Sequence, residues 1–192
     1  MCGFSVLSTA KHSVSSALDL SEKFVGYRGK DRTDHVVHKD RIFVHHRLSI
    51  VDIDNGSQPI DTSLGTLVFN GEIHNFRALG DKHFKQVFSG DTQFLNYLCR
   101  SKSWNILSEI DGYFAFIYFD KQTGSTFAGR DLYGEKPLYA SADLKNFSSS
   151  INVVAQLKRK TLGGFLKSLF AQERQTWQSI LFDHYIEIPK NS

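Results

Sequence analysis

The sequence predicts a layered α+β domain, and three observations support this prediction. Its 192 residues are the usual length of one domain, and 41% of them are hydrophobic, enough to fill a core. Strand-like apolar runs alternate with a few amphipathic helical patterns. The run Tyr113–Phe119 is apolar at every position, which is typical of a strand covered on both faces. Together these patterns predict sheets covered by helices.

The first part of the chain predicts mainly strands. Short apolar runs bounded by polar or turn residues predict strands, in order, at Gly3–Ser8, Arg41–His46, Ser49–Asp54 and Leu64–Asn70. Between the first two, Ser13–Phe24 carries apolar residues at helical spacing. The polar segment Gly26–Lys39 predicts a loop. The dipeptide Asn70-Gly71 has the composition of a turn, so the last of these strands is expected to end there.

The second part predicts helices around a central group of strands. Asp91–Cys99 has apolar residues on one face, and Asp91 or Thr92 could cap its N-terminus. A last helix is predicted over Thr161–Ala171. The strands predicted between these helices are Tyr113–Phe119, Ser125–Gly129 and Leu138–Ala142.

Composition excludes several classes of function. The net charge is +3 with scattered basic residues, which does not indicate a nucleic-acid partner. The two cysteines give no disulfide framework and fit a cytoplasmic protein. No signal peptide and no apolar run of membrane-spanning length is present, so no membrane partner is expected. The histidines lack cysteines or paired acids at ligand spacing, so neither a metal nor a cofactor is predicted.

Cys2 stands directly after the initiator methionine. If Met1 is removed, Cys2 carries a thiol and a free α-amine, whose pKa is about 7.7–8.0. Such a residue could supply both a nucleophile and a general base, as N-terminal threonine nucleophiles do. If Met1 is retained, that nitrogen is an amide and cannot act as a base. Taken alone, this stretch favours an inert thiol.

Other polar residues have both an ordinary and a chemical interpretation. Asn70 and Gly71 could form a turn, or an amide and a backbone N–H could hold an oxyanion. Arg47 could be a surface charge, or its guanidinium could bind a substrate carboxylate. Glu72 and Asp91 could be solvated or capping acids, or they could bind an ammonium group. Combined with Cys2, these are the groups needed to hold a free amino acid and attack its side-chain amide.

Longer motifs carry a resemblance to a known family. They are, in order, Cys2-Gly3, Arg28-Gly29-x-Asp31, His45-x-Arg47-Leu48-Ser49-Ile50-x-Asp52, Gln58-Pro59, Phe69-Asn70-Gly71-Glu72-Ile73-x-Asn75, Gly90-Asp91-Thr92, Asp111-Gly112-x-Phe114-Ala115-Phe116 and Gly129-Arg130-Asp131-x-x-Gly134-x-Lys136-Pro137-Leu138-Tyr139. This series resembles the glutaminase domain of glutamine-hydrolysing asparagine synthetase, a class II glutamine amidotransferase. The resemblance implies the four-layer αββα fold of N-terminal nucleophile hydrolases, with two facing antiparallel sheets.

The resemblance also implies roles for residues at the matching positions. Cys2 would be the nucleophile, with its own amine as the base. Asn70 and Gly71 would form the oxyanion hole. The expected reaction is attack on the amide of L-glutamine, release of ammonia, and hydrolysis of a glutamyl thioester to glutamate.

Three further positions match the family's substrate site. Arg47 would bind the glutamine carboxylate, while Glu72 and Asp91 would bind its amino group. The amidotransferase domain is expected over residues 2–160, followed by a helix and a linker-like tail over 161–192. No sequence typical of an ATP-dependent synthetase domain is present, so a synthetase domain or subunit that receives ammonia is the expected partner.

Some positions depart from the family, and other functions stay open. Lys30 replaces a proline, His74 replaces a tyrosine, and serines stand where the family has a glutamate near Ser150. These departures suit an idle regulatory or scaffold domain that keeps the fold and binds a synthetase-like partner. Another N-terminal nucleophile hydrolase acting on a different amide is a further alternative, although Arg47, Glu72 and Asp91 favour a free α-amino acid.

Overall fold

The computed structural model of the chain describes residues 2–48, 56–156 and 185–188. Within them lie ten strands: β1 (Gly3–Ser8), β2 (Arg32–His38), β3 (Arg41–Arg47), β4 (Ile60–Asp61), β5 (Gly65–Ile73), β6 (Gly112–Asp120), β7 (Thr126–Arg130), β8 (Tyr139–Ala140), β9 (Phe147–Ser148) and β10 (Tyr185–Ile188). The α-helices are α1 (Val14–Val25), α2 (Phe76–Leu79), α3 (Asp91–Arg100) and α4 (Ile151–Gln156). Helical turns of other types occupy Gly26–Arg28, Gly80–Phe84 and Trp104–Glu109.

The strands form two five-stranded sheets. The first has the order β2-β3-β1-β9-β8, and the second has the order β10-β7-β6-β5-β4. Every pairing between neighbouring strands is antiparallel. The strand that follows Cys2, β1, lies in the centre of its sheet and is buried along its whole length. The start of the chain is therefore held by hydrogen bonds on both sides.

Three apolar clusters separate four layers. The first packs α1 and α4 against the first sheet, through Leu7, Ala17, Val25, Ile42, Val44 and Val153. The second fills the space between the sheets, with Phe4, Val6, Phe43, Val68, Ala115 and Ile117 among its members. The third packs α3 against the second sheet and includes Phe69, Phe94, Leu95, Leu98, Phe114 and Phe116. The predicted four-layer αββα arrangement of two facing antiparallel sheets is confirmed.

Alternation along the strands explains why both faces of each sheet are apolar. In β6, Phe114 and Phe116 face the α3 layer, whereas Ala115 and Ile117 face the first sheet. The apolar run Tyr113–Phe119 was predicted to be covered on both faces, and this is confirmed.

Two predictions about the strands are wrong. The segment predicted as a loop, Gly26–Lys39, contains the strand β2. This strand lies at a sheet edge and alternates between exposed and half-buried residues, so it needs few apolar side chains. The chain also does not turn at Asn70-Gly71, because β5 continues through both residues to Ile73.

Gly71 is required for this continuation. Its φ is +148°, a conformation that glycine adopts more readily than other residues. A Cβ at this position would lie 2.1 Å from the carbonyl oxygen of Tyr113 on β6.

The remaining differences concern short elements and ranges outside the described residues. The predicted strand Ser49–Asp54 and the helix Thr161–Ala171 lie outside the described residues. The edge strands β4 and β10, the strand β9 and the helix α4 were not predicted from the sequence. Among the described residues, no helix has the length and apolarity needed to cross a membrane.

Candidate active site

A cavity of about 450 Å³ opens where β1, β3 and β5 come together near Cys2. Its lining includes all six residues that the sequence analysis singled out: Cys2, Arg47, Asn70, Gly71, Glu72 and Asp91. They come from four separate parts of the chain, so their convergence results from the fold.

Cys2 is fixed by the pairing of β1 with β3 and by the residue that follows β3. The next residue, Gly3, pairs with His46 of β3. The backbone N–H of Leu48 lies 3.4 Å from the Cys2 sulfur, and the sulfur lies 3.5 Å from the carbonyl oxygen of Leu48. The residue is half-buried, and its thiol is not in a disulfide bond. Cys2 is therefore a positioned residue that stays accessible from the cavity, and it is not part of a loose terminus.

Asn70 brings a buried hydrogen-bond donor to the cavity. Its side chain is 2% exposed, and its Nδ2 makes no hydrogen bond with any residue that the structure describes. A buried donor without a partner costs folding free energy, about 1–3 kcal/mol. Since native proteins satisfy most such groups, an unpaired amide beside a cavity indicates a ligand atom that it can bind.

Gly71 contributes a backbone donor at the open edge of β5. The N–H groups of alternate strand residues point to the same side. On this side the N–H of Phe69 donates to Gln58 Oε1 at 2.6 Å, and that of Ile73 donates to Asp91 Oδ2 at 3.1 Å. The Gly71 N–H lies between these two on the cavity edge. Asn70 and Gly71 can therefore present two donors to one developing negative charge.

Asp91 is the first residue of α3 and connects that helix to β5. Its Oδ1 accepts a hydrogen bond from the N–H of Thr92 at 2.7 Å, while Oδ2 accepts from Ile73. Gly90 is the N-cap residue of this helix, so the prediction that Asp91 or Thr92 caps it is wrong. Burial raises the pKa of Asp91, and the nearby negative charge of Glu72 adds to this, while the hydrogen bonds oppose it.

Glu72 follows Gly71 on β5 and lies at the mouth of the cavity. A hydrogen bond with its carboxylate raises the pKa of the Tyr113 phenol. Lys136 stands over the Tyr113 ring, with its Nζ 4.3 Å from the ring centre. Glu72 and Asp91 thus bring two carboxylates to one side of the site, where a cation would find complementary charge.

Arg47 ends β3 and is 7% exposed. Its neighbour His45 is buried as well, and burial lowers the pKa of His45 to about 3, so that this imidazole is neutral at physiological pH. His46 points to the opposite face, where its Nε2 lies 2.9 Å from the Ser21 hydroxyl of α1. Adjacent residues of a strand point to opposite faces of the sheet, and these two histidines do so. The cavity therefore combines a buried guanidinium with two carboxylates.

Sequence reasoning missed three residues that shape the site. Gln58 holds the segment before β4 against β5 through its bond to Phe69, and Lys136 lines the cavity. Asp131 organises the loop that carries Lys136. The motifs around Gln58 and Lys136 were the available signal, but they did not reveal what these side chains contact.

Asp131 is a buried carboxylate that holds backbone groups of two segments. It is 4% exposed, and it accepts hydrogen bonds from the N–H groups of Phe114, Glu135 and Lys136 at 3.2, 2.8 and 3.1 Å. Its own N–H donates to the carbonyl of Phe114 at 2.8 Å. This side chain therefore joins the start of β6 to the loop after β7.

Asp131→Ala is expected to lower the free energy of unfolding by about 2–4 kcal/mol, because it leaves buried N–H groups without an acceptor. Urea unfolding followed by circular dichroism measures this change. Asp111→Ala is the matched control, since the Asp111 side chain is 77% exposed. Equal stability losses in the two variants would contradict the role given to Asp131.

His74, which departs from the family motif, lies at the rim of the cavity. Its ring packs edge-on against Tyr113, with 5.3 Å between ring centres. The side chain is about half exposed. The histidine at position 74 therefore alters the lining of the cavity at its rim, away from Cys2.

Comparisons with known proteins identify the family of the chain. The model of the glutamine amidotransferase domain family matches residues 1–190. The chain is 30% identical to asparagine synthetase B (glutamine-hydrolyzing) of Escherichia coli, over 94% of this chain and 35% of that protein. It is 33% identical to asparagine synthetase (glutamine-hydrolyzing) 1 of Bacillus subtilis, over 72% of this chain and 24% of that protein. The chain thus spans about a quarter to a third of the length of these relatives.

A solved structure supports the fold. Glutamine phosphoribosylpyrophosphate amidotransferase from B. subtilis, complexed with ADP and GMP, matches with a TM-score of 0.52 at 16% identity. The match covers 77% of this chain and 41% of that one. The predicted N-terminal nucleophile hydrolase fold is confirmed by this neighbour and by the two facing sheets. With the family model covering nearly the whole sequence, the chain belongs to the glutamine amidotransferase domain family and is of the asparagine synthetase type.

Proposed function

We propose that this chain hydrolyses L-glutamine to glutamate and ammonia, with Cys2 as the nucleophile. The observation that carries the proposal is the convergence on one cavity of Cys2, the unpaired buried amide of Asn70, and charges of both signs. Glutamine has a reactive side-chain amide together with a carboxylate and an ammonium group. The cavity offers a partner of suitable chemistry for each of them.

The proposed reaction begins at the terminus that removal of Met1 creates. The free α-amine of Cys2 takes the proton of the thiol, and the sulfur attacks the amide carbon of the glutamine side chain. Because the amine and the thiol belong to one residue, no separate base has to be brought to the site. The protonated amine then gives its proton to the departing nitrogen, which leaves as ammonia.

The negative charge that forms on the amide oxygen is held by Asn70 and Gly71. Both donors are fixed by β5 before the substrate arrives, so little reorganisation is needed when the charge develops. Loss of ammonia leaves a γ-glutamyl thioester on Cys2. Water then attacks this thioester, which releases glutamate and restores the thiol.

Recognition of the α-amino acid end uses opposite charges. Arg47 binds the carboxylate, and Glu72 and Asp91 bind the ammonium group. Asp91 is suited to this role because its backbone hydrogen bonds fix the carboxylate between β5 and α3. A substrate that lacks its carboxylate or its ammonium group loses the corresponding charge-assisted contact and is therefore expected to bind more weakly.

The ammonia is proposed to serve a synthetase partner. The curated relatives are asparagine synthetases of which this chain matches only a part. A separate domain or subunit that activates a carboxylate with ATP would accept the ammonia, and aspartate is the first acceptor to test.

The proposal is tested by mixing the purified chain, with Cys2 as its first residue, with L-glutamine. Intact mass establishes the state of the terminus, and glutamate release is followed by a coupled dehydrogenase assay. Formation of glutamate by a chain lacking Met1 supports the proposal. A correctly processed, folded chain that forms no glutamate, alone or with a synthetase partner, would instead support the idle scaffold alternative.

The role of Asp91 predicts a specific effect on substrate binding. Asp91→Asn is expected to raise the KM for glutamine by about 10–100-fold, because a charge-assisted hydrogen bond contributes about 1.5–3 kcal/mol. Steady-state kinetics measures this change. Asp81→Asn is the control, since Asp81 is exposed and does not line the cavity.

The same carboxylate predicts a pH dependence of KM. Because its pKa is raised, Asp91 takes up a proton at a higher pH than an ordinary aspartate, and it is charged only above that pH. The KM of the native chain should therefore rise as the pH falls through this range. Asp91→Asn should lack this part of the rise, and an identical profile in both proteins would argue against Asp91 as an ammonium ligand.

A further inference from the structure

Three buried serines form a hydrogen-bonded network on the face of the first sheet that packs against α1. The hydroxyl of Ser21 on α1 lies 3.0 Å from that of Ser5 on β1, which lies 3.1 Å from the hydroxyl of Ser148 on β9. The Ser148 hydroxyl donates to the carbonyl oxygen of Phe4 at 3.1 Å. All three serines are completely buried. This serine network therefore joins one helix and two strands inside a layer that is otherwise apolar.

His46 of β3 lies at the α1 end of the serine network. Its Nε2 is 2.9 Å from the Ser21 hydroxyl, and its Nδ1 is 3.0 Å from the hydroxyl of Thr33 on β2. The imidazole is completely buried, which lowers its pKa, while the Glu22 carboxylate 3.4 Å from Nδ1 acts against this effect. Because the lowered pKa keeps the ring neutral at physiological pH, only one of its nitrogens carries a proton.

The direction of the hydrogen bonds follows from the carbonyl group at the far end of the network. A carbonyl oxygen can only accept, so the single hydroxyl proton of Ser148 is directed to Phe4. Ser5 must then donate to Ser148, and Ser21 must donate to Ser5. In its contact with His46, the Ser21 hydroxyl is left as the acceptor. The ring proton therefore lies on Nε2, and Nδ1 is the acceptor nitrogen.

His46 is also adjacent to the groups that hold Cys2. It pairs with Gly3 across β1 and β3, and two residues after it comes Leu48, whose backbone N–H lies 3.4 Å from the Cys2 sulfur. A Cβ on Gly3 would lie 2.5 Å from Cγ1 of Val25, the last residue of α1. The helix thus packs directly against the backbone behind Cys2, so its placement affects the position of that residue.

We propose that His46, with its proton on Nε2, is a positioning residue for the nucleophile Cys2. Its hydrogen bond to Ser21 fixes β3 to α1, and the bond from Ser21 to Ser5 fixes β1 to the same hydroxyl group. Strands β1 and β3 are therefore aligned at one point, close to the contact between Cys2 and Leu48. The effect of His46 on the rate rests on the proposed glutamine hydrolysis, whereas the state of its ring and the serine network do not.

The first measurement is the protonation state of the His46 ring in the full ¹⁵N-labelled chain. Long-range ¹H–¹⁵N correlation spectra at neutral pH distinguish a protonated ring nitrogen from a bare one. The signals that disappear in His46→Gln identify this ring among the eight histidines. We expect a neutral ring with its proton on Nε2. A proton on Nδ1, or protons on both nitrogens, would overturn the proposal.

The second measurement compares two replacements of His46 in the chain that begins with Cys2. His46→Gln keeps an N–H donor at the end of the side chain, whereas His46→Leu removes it. His46→Leu is expected to lower kcat for glutamine hydrolysis by about 10–100-fold, because a small displacement of a nucleophile slows its attack. The effect on KM should be smaller, since two of the three proposed charge contacts with glutamine lie outside the first sheet. The backbone amide signal of Leu48 should shift as well, and His46→Gln should keep both properties close to native.

Replacements of serine on α1 supply a second variant and its control. Ser21→Ala removes a single oxygen atom and should repeat the loss of kcat and the shift of the Leu48 amide signal, so it carries the test if His46→Leu does not fold. Ser15→Ala, at an exposed position of the same helix, should change neither property. Thermal unfolding of each variant establishes that the chain is folded.

The Leu48 signal separates this inference from the proposed function. A native chain that releases no glutamate would contradict the proposed function, while a shifted Leu48 signal in Ser21→Ala would still support the positioning of Cys2. Folded Ser21→Ala that keeps an unmoved Leu48 signal and the native kcat would overturn the role of the network. A loss of stability alone, without either change, would likewise show that His46 and Ser21 stabilise the fold and do not position Cys2.

Discussion

Cys2→Ala is expected to lower the rate of glutamate release from glutamine by at least about 10³-fold, because no other nucleophile can form the thioester. The fold should survive the change. Cys2 is half-buried and precedes β1, whose pairing with β3 and β9 does not depend on the thiol. Stopped-time assays of glutamate, together with thermal unfolding, measure the two effects. Glutamine hydrolysis that persists at the native rate would rule out Cys2 as the nucleophile.

Cys99 offers the matched control for this experiment. It is completely buried on α3, and burial raises the pKa of its thiol well above the ordinary value. Cys99→Ala should therefore cost some stability but leave the rate of hydrolysis largely intact. For the same reason, iodoacetamide should modify Cys2 and spare Cys99 in the folded chain, and this modification should inactivate it.

The α-amine can be tested apart from the thiol. A chain that carries one glycine in front of Cys2 keeps the thiol but converts the amine into an amide, which cannot take a proton at neutral pH. This chain is expected to lose hydrolysis as Cys2→Ala does. If it stays active, another group must serve as the base.

The central strands could be predicted from the sequence because their residues are buried on both faces. β1 is a short, mainly apolar run and β6 contains a continuous one, and the structure places both inside the layered core. The edge strand β2 could not be predicted in this way, since one of its faces is solvated and its pattern is largely polar. The pairing of β10 with β7 joins residues that are far apart in sequence, which no local pattern reveals.

The candidate site, like the fold, could be predicted only in part from the sequence. Its six residues could be named from motifs, but the motifs did not give the reason for their positions. Asn70-Gly71 has the composition of a turn, and only the pairing of β5 with β6 shows that these residues continue a strand. Asp131 acts on backbone groups of other segments, and such long-range hydrogen bonds leave no periodic trace in the sequence.

Asn70→Ala is expected to lower kcat for glutamine hydrolysis by about 10²–10³-fold, with a much smaller effect on KM, because an oxyanion-hole donor acts mainly in the transition state. The amide nitrogen of Asn70 makes no hydrogen bond with the described residues of the protein itself. Its removal should therefore cost little folding free energy. A large loss of kcat with little loss of folding free energy distinguishes a residue that acts in the reaction from one that stabilises the fold.

Asn146 provides the comparison that makes this distinction measurable. It is also completely buried, but its Oδ1 accepts from the N–H of Ser8 at 2.9 Å and its Nδ2 donates to the Ser141 hydroxyl at 3.2 Å. Asn146→Ala should lower the free energy of unfolding by about 1–3 kcal/mol and leave kcat nearly unchanged. Urea unfolding and steady-state kinetics on the same preparations should therefore show a loss of kcat in Asn70→Ala and a loss of stability in Asn146→Ala. If Asn70→Ala loses stability as Asn146→Ala does and keeps its kcat, then the unpaired amide does not hold the oxyanion, and that charge must be stabilised elsewhere.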